Sequence, residues 1–166
     1  MQREYQKPRV GISSCLLGER VRYDGGHKRD AWLVDVLGRD VEWVPVCPEV
    51  EAGFGTPREP VDLMRGADGV RRLIAVRTNR DVTAPMRRFI ERRIEELAAA
   101  RLSGYVLKAG SPSCGLDDVD PGLFAEALLA RFPDLPIEDE RRLADPERRR
   151  QFVDRVFAYH RDCSTQ

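Results

Sequence analysis

Arg9-Val10-Gly11-Ile12-Ser13-Ser14-Cys15 is a short apolar run that breaks off in two serines and a cysteine. It reads as a buried strand, Arg9–Ser13, that hands over to a loop carrying Cys15. The same ending recurs twice. A strand over Val41–Val46 is opened by Asp40 and stops at Cys47-Pro48, because proline cannot donate to a ladder. A strand over Gly104–Leu107 runs into Lys108-Ala109-Gly110-Ser111-Pro112-Ser113-Cys114-Gly115. Between these runs the apolar spacing turns helical. Leu33, Val36 and Leu37 predict a short helix over Asp30–Leu37. Met86, Phe89, Ile90, Ile94, Leu97 and Ala98 predict a long one over Ala84–Arg101, with Thr83 as its N-cap and Pro85 just inside. Helices are also expected over Gly122–Arg131 and Asp145–His160, and strands over Arg72–Arg77 and Leu135–Ile137. Residues 48–70 read as a long irregular stretch, punctuated by Pro48, Gly53, Gly55, Pro57 and Pro60, and loops of that length are usually functional. Strands alternating with helices predict a three-layer, Rossmann-like α/β fold, with a mostly parallel sheet of about five strands and helices on both faces. In such sheets, ligands bind beyond the carboxyl ends of the strands.

Length and composition set the class. The chain has 166 residues, 42% hydrophobic and 34% charged, which suits one globular domain over residues 1–166 with a highly charged surface. Formal net charge is zero, so a general basic footprint for nucleic acid is absent, while a local patch stays open. The segment Met1 to Arg9 is polar and lacks the apolar core of a secretion signal. No apolar run approaches the roughly 18–20 residues needed to cross a bilayer. The expectation is a cytoplasmic protein with no membrane partner; nothing in the pattern sets an oligomeric state. A reducing compartment opposes pairing the four cysteines as disulfides, and a core of this size does not need them. Core filler, metal ligand and catalytic thiol remain as roles.

Position decides among these. Cys15, Cys47 and Cys114 each follow a strand, and in a parallel sheet those strand ends share one edge. A lone buried cysteine is usually core filler; three at equivalent strand ends, in loops rich in Gly, Pro and Ser, argue for a shared centre. Thiolates are soft ligands that suit zinc or an iron–sulfur cluster. Structural zinc takes four ligands, so a site completed by His27 remains an alternative. Cys163 lies in the C-terminal tail and is a poor candidate for the fourth. A cluster held by three thiolates leaves one iron open for chemistry.

Four blocks carry a family resemblance. Ser13-Ser14-Cys15-Leu16-Leu17-Gly18 is followed by Arg22-Tyr23-Asp24-Gly25-Gly26-His27-Lys28. Val46-Cys47-Pro48-Glu49-Val50 is followed by Gly53 and Thr56-Pro57-Arg58. Asp81-Val82-Thr83 comes next, then Leu107-Lys108 with Ser111-Pro112-Ser113-Cys114-Gly115. In this order, across residues 10–115, they resemble the 2-thiouracil desulfurase family. The resemblance implies a 4Fe–4S cluster held by Cys15, Cys47 and Cys114, whose open iron takes the sulfur of a small thiolated substrate. Another thiolated base, a thioamide or a sulfur carrier would serve the same chemistry. A sulfur-carrying or zinc-binding module without catalysis, or a protein binding thiolated RNA, is the rival class.

Desulfuration asks for an acid or base beside a thiophilic centre. Glu49, two residues after Cys47, is the first choice for that work; its plain alternative is a brace for the long loop. Ser111 and Ser113 flank Pro112 beside Cys114 and are candidates to orient substrate or to cap a turn. Tyr23 offers a ring to stack on a planar base, Asp24 an acceptor, and His27 and Lys28 partners for an anion, although Asp24-Gly25 is also a turn signal. Lys108 at the fourth strand end, and Arg58 in the long loop, are further binding candidates. Glu42, at the start of the second strand, is less well placed. Asp81 and Thr83 are further candidates to act at the site, although helix capping by Thr83 is the plainer reading. Arg87, Arg88, Arg92 and Arg93 alternate with Glu91, Glu95 and Glu96, and Arg148 to Arg150 adjoin Glu147; these are solvated helix faces.

Overall fold

The computed structural model describes residues 5–165, so part of the polar N-terminal segment, from Met1, lies outside them. Its strands are β1 (Arg9–Ser13), β2 (Glu42–Val46), β3 (Val61–Arg65), β4 (Arg71–Ala75), β5 (Gly104–Leu107) and β6 (Ile137–Asp139). Its α-helices are α1 (Pro48–Glu51), α2 (Thr83–Ala100), α3 (Leu123–Arg131) and α4 (Pro146–Ser164). β2, β1, β5 and β6 form one parallel sheet in that order, and β3 pairs with β4 in a separate two-stranded sheet. The architecture is the α/β one that the strand–helix alternation predicts.

Alternating side chains build the two faces. Val10 and Ile12 of β1, with Val106 of β5, join Leu33, Phe152 and Val156 in one buried cluster, under α4 and the turns over 32–39. Val46, Tyr105 and Leu107 point the other way, into a cluster with Met86, Phe89 and Leu97 of α2 and Phe124 and Leu128 of α3. Every residue of β5 is buried, because both sides of this central strand are covered. β2 is an edge strand, which is how Pro45 is accommodated inside it.

Five local differences from the sequence reading stand out. The strand expected over Arg72–Arg77 starts one residue earlier, ends at Ala75 and lies antiparallel to β3, so the parallel sheet has four strands. β3 itself occupies part of the stretch expected to be irregular. The turn at Asp68-Gly69 closes the hairpin: Gly66 N–H donates to the Val70 carbonyl at 3.0 Å, and Val70 N–H donates to the Asp68 carboxylate at 3.0 Å. Asp30–Leu37 winds as a wide π-type turn over Trp32–Val36 and a tight one over Leu37–Arg39. Thr83 does not cap α2; its hydroxyl accepts the Leu73 N–H at 2.8 Å and ties the helix to the hairpin. β6 begins at Ile137, two residues beyond the expected start. Asp145 does cap α4, accepting the Glu147 N–H at 2.9 Å. No helix among the described residues is long and apolar enough to cross a membrane.

The chain runs from β1 to β2 on one side, then crosses to β5 on the other, so strand order reverses at β1. A crevice therefore opens beyond the carboxyl ends of β1 and β5. Gly11 lies opposite Tyr105 in the β1–β5 ladder, and the tyrosine ring packs over it. A Cβ at Gly11 would sit 2.2 Å from the Tyr105 ring. Gly11→Ala is expected to destabilise the fold by about 1–3 kcal/mol through overpacking, read as a lowered midpoint of denaturant unfolding; an unchanged midpoint would contradict this packing.

Candidate active site

Each of the three strand-end cysteines is held by its own backbone device. Cys15 sits in the tight turn Ser14–Leu17 that follows β1. Its carbonyl accepts N–H bonds from Gly18 at 3.2 Å and Lys28 at 2.9 Å, which folds the loop over 18–28 back upon it. Cys47 precedes α1, and its N–H donates to Glu51 at 2.9 Å. Glu51 also pairs with Arg93 of α2 at 3.3 Å. Cys114 is fixed through Ser111, whose Oγ accepts the N–H groups of both Ser113 and Cys114 at 3.1 Å. That loop rests on the start of α3: Phe124 and Ala125 donate to the Ser113 carbonyl, and a Cβ at Gly122 would stand 2.4 Å from it.

The three thiols line one pocket of about 190 Å³. Glu49, Ser111, Tyr23, Lys108 and Arg58 line it too. Burial pushes all three thiols up from their ordinary value of 9.0. Cys15 reaches about 11, against the downward pull of Lys108 and Arg22. For Cys47 the Val50 N–H and Arg58 oppose the rise; for Cys114 the opposing group is the Ser13 hydroxyl. Cys47 pushes up both of the others, the mark of three thiols sharing a neighbourhood. Among the described residues, no three His, Cys, Asp or Glu side chains are gathered to hold a single metal ion.

Two buried ion pairs frame the pocket. Arg58 Nε meets Glu49 Oε1 at 3.3 Å, with side chains 7% and 15% exposed. Arg58 Nη1 also donates to the carbonyls of Val21 at 2.8 Å and Gly55 at 2.9 Å. The Cys47 thiol faces the same Val21 carbonyl at 3.8 Å. The other oxygen of Glu49 accepts from Ser113 Oγ at 3.4 Å. On the opposite wall, Lys108 Nζ contacts Glu140 at 2.7 Å, and Glu140 also accepts the Ala109 N–H at 2.8 Å. The Lys108 N–H donates to Ser13 Oγ at 2.9 Å.

The remaining candidates divide. Tyr23 is 41% exposed at the pocket mouth, and its carbonyl accepts the Arg58 N–H at 2.8 Å. Ser113 is fully buried behind the lining, in contact with Glu49. Asp24 and His27 brace their own loop, accepting the N–H groups of Gly26 at 2.9 Å and Arg29 at 3.1 Å, and neither lines the pocket. Lys28 lies in an adjoining cleft. Cys163 is exposed. Sequence reading missed Ser13 as a site residue, although its block was noticed, and missed Glu140, which follows β6 by the same strand-end rule that found the cysteines. Arg22, also on the lining, was seen only as part of its loop.

Comparison with known proteins meets this geometry. The family model of 2-thiouracil desulfurase matches residues 10–140. The protein YbbK of Bacillus subtilis (strain 168) is 32% identical, over 69% of this chain and 78% of its own length. A solved structure, the 4Fe–4S-dependent thiouracil desulfidase TudS, is similar with a TM-score of 0.66 and 33% identity, over 83% of this chain and 94% of its own. The match spans β1 to β6 and includes all three pocket cysteines, so the chain belongs to the 2-thiouracil desulfurase family.

Proposed function

We propose that this protein removes sulfur from a thiocarbonyl compound such as 2-thiouracil or a related thiolated base, using a 4Fe–4S cluster held by Cys15, Cys47 and Cys114 with one iron left open. The observation that carries the reading is the convergence of three thiols, from three strand ends, on one pocket. The donor set fits the group. A tetrahedral zinc site with bonds of about 2.3 Å would draw its thiolates to within about 4 Å of one another. His27, the fourth ligand that such a site would need, does not line the pocket. A cluster spreads its thiolates over separate irons. When bound, it supplies a thiophilic Lewis acid for the thiocarbonyl sulfur.

The overall change is thiocarbonyl plus water to carbonyl plus hydrogen sulfide, with no net oxidation or reduction. This chain's residues handle the water, the protons and the base. Glu49 is the group to take a proton from water attacking the thiocarbonyl carbon, and Arg58 and Ser113 hold its carboxylate in place. Ser113 thus acts through Glu49 and does not touch substrate. Ser111 accepts two backbone bonds and keeps its own O–H to donate to a ring heteroatom. Tyr23 supplies a ring at the mouth for a planar base, and Lys108 sets a positive charge beside Cys15. Asp24 and His27 shape the loop that carries Tyr23.

Purified and loaded without air, the protein is expected to convert 2-thiouracil to uracil and sulfide; a loaded protein inert toward every thiolated base and thioamide tested would reject the proposal. Cys114→Ser should lose the iron together with the activity. Glu49→Gln should keep the iron and lower kcat by about 10²–10⁴-fold, the usual worth of a general base. The raised Cys15 thiol gives a separate test on protein stripped of metal. Its folded value, about 11, lies above the unfolded 9.0, so its contribution to stability is complete below pH 9 and is lost as pH climbs towards 11. The denaturation midpoint of the stripped protein should fall over that interval, and a flat profile would contradict the burial of this thiol.

A further inference from the structure

A second cleft, of about 490 Å³, opens beside the thiol pocket and shares Arg22, Lys108, Ala109 and Gly110 with it. Lys28, Glu140 and Arg141 complete its lining. Its cations come from three separate places: Arg22 and Lys28 from the loop after β1, Lys108 from the end of β5, and Arg141 from beyond β6. Its one carboxylate, Glu140, is already committed to Lys108 and to the Ala109 N–H. Arg22 stands 4.0 Å from Asp24 and lies over the Tyr23 ring at 5.8 Å. Among the described residues, the side chains of Lys28 and Arg141 make no hydrogen bond or ion pair. In a chain of zero net charge this concentration of unmatched positive charge is local. Its field gathers anions at a wall that the reaction pocket shares.

Resting on the desulfurase reading, we propose that this cleft is the exit site for the sulfur product, binding it as the hydrosulfide anion. The reaction gives two products of different character. The carbonyl base is neutral and planar, and the thiol pocket, with Tyr23, Val46, Pro60 and Val61, suits it. Hydrogen sulfide gives up a proton near neutral pH, and the anion keeps the sulfur's electron pair, so leaving requires no redox partner. A single narrow pocket would make the sulfur wait behind the base. The cleft offers it a separate charged route, wide enough for a hydrated anion, since each water takes about 30 Å³. Arg141 is its outer post: the guanidinium lies against Gly110, where a Cβ would be 3.3 Å from Nη2.

The test uses the anaerobically loaded enzyme and sodium hydrosulfide as probe. Sulfide affinity is read by optical titration without substrate, and again as product inhibition of 2-thiouracil turnover. Arg141→Glu is expected to weaken sulfide binding by about tenfold, with a smaller dependence on salt, while Arg141→Lys stays within about twofold of the wild type. Lys28→Glu, on the facing loop, should weaken it in the same sense. Sulfide affinity that ignores both charge reversals overturns the proposal. So does a KM for 2-thiouracil that shifts while sulfide affinity stays constant, which would give the cleft to substrate. Wild-type turnover, measured first, tests the parent reading by itself.

Discussion

One hydrogen bond joins the two halves of the site. Beyond the last ladder pair of β1 and β5, Ile12 opposite Val106, the Lys108 N–H has no strand partner and donates to Ser13 Oγ at 2.9 Å. Ser13 is buried, so this donor and acceptor satisfy each other away from water. The bond holds two strand ends in register after the sheet has finished. Cys15 follows two residues beyond Ser13 and Cys114 six beyond Lys108, and both reach the same pocket. The Ser13 hydroxyl also faces the Cys114 thiol, so the group that pins the strands touches the chemistry.

The pocket combines buried thiols with charged walls. Burial raises all three thiols, which favours their protonated form at neutral pH; a metal centre that took them as thiolates would release protons. Arg58 and Lys108 are each committed to a carboxylate, Glu49 and Glu140. Those pairs keep the polar walls rigid while the thiols close the inner end. Positive charge without such partners is displaced outward, to Lys28 and Arg141, where a departing anion can use it.

Much of the site was legible in the sequence because its signals are local. A strand that stops at Ser13-Ser14-Cys15 or at Cys47-Pro48 announces its own end, and parallel topology does the rest. What was not legible depends on partners distant in the chain. Glu140 went unseen because the strand before it was placed two residues early, and only pairing with β5 corrects that. The β3–β4 hairpin was hidden among prolines and glycines, and Asp68-Gly69 was the signal that marked it. Thr83 read as a helix cap, yet its hydroxyl serves the Leu73 N–H across the hairpin, a tertiary bond that outbids a local one. His27 could not be separated from a zinc ligand by spacing; its ring is turned to the Arg29 N–H.

The central claim is that three strand-end thiols hold one cluster and leave one iron without a protein ligand. Mössbauer spectroscopy of protein loaded with iron-57 under anaerobic conditions tests it most directly. The account predicts about four irons per chain with one iron site distinct from the rest, its parameters shifting when a thiolated base is added. Four equivalent irons, unmoved by the base, or a protein that retains stoichiometric zinc and no iron, would contradict it.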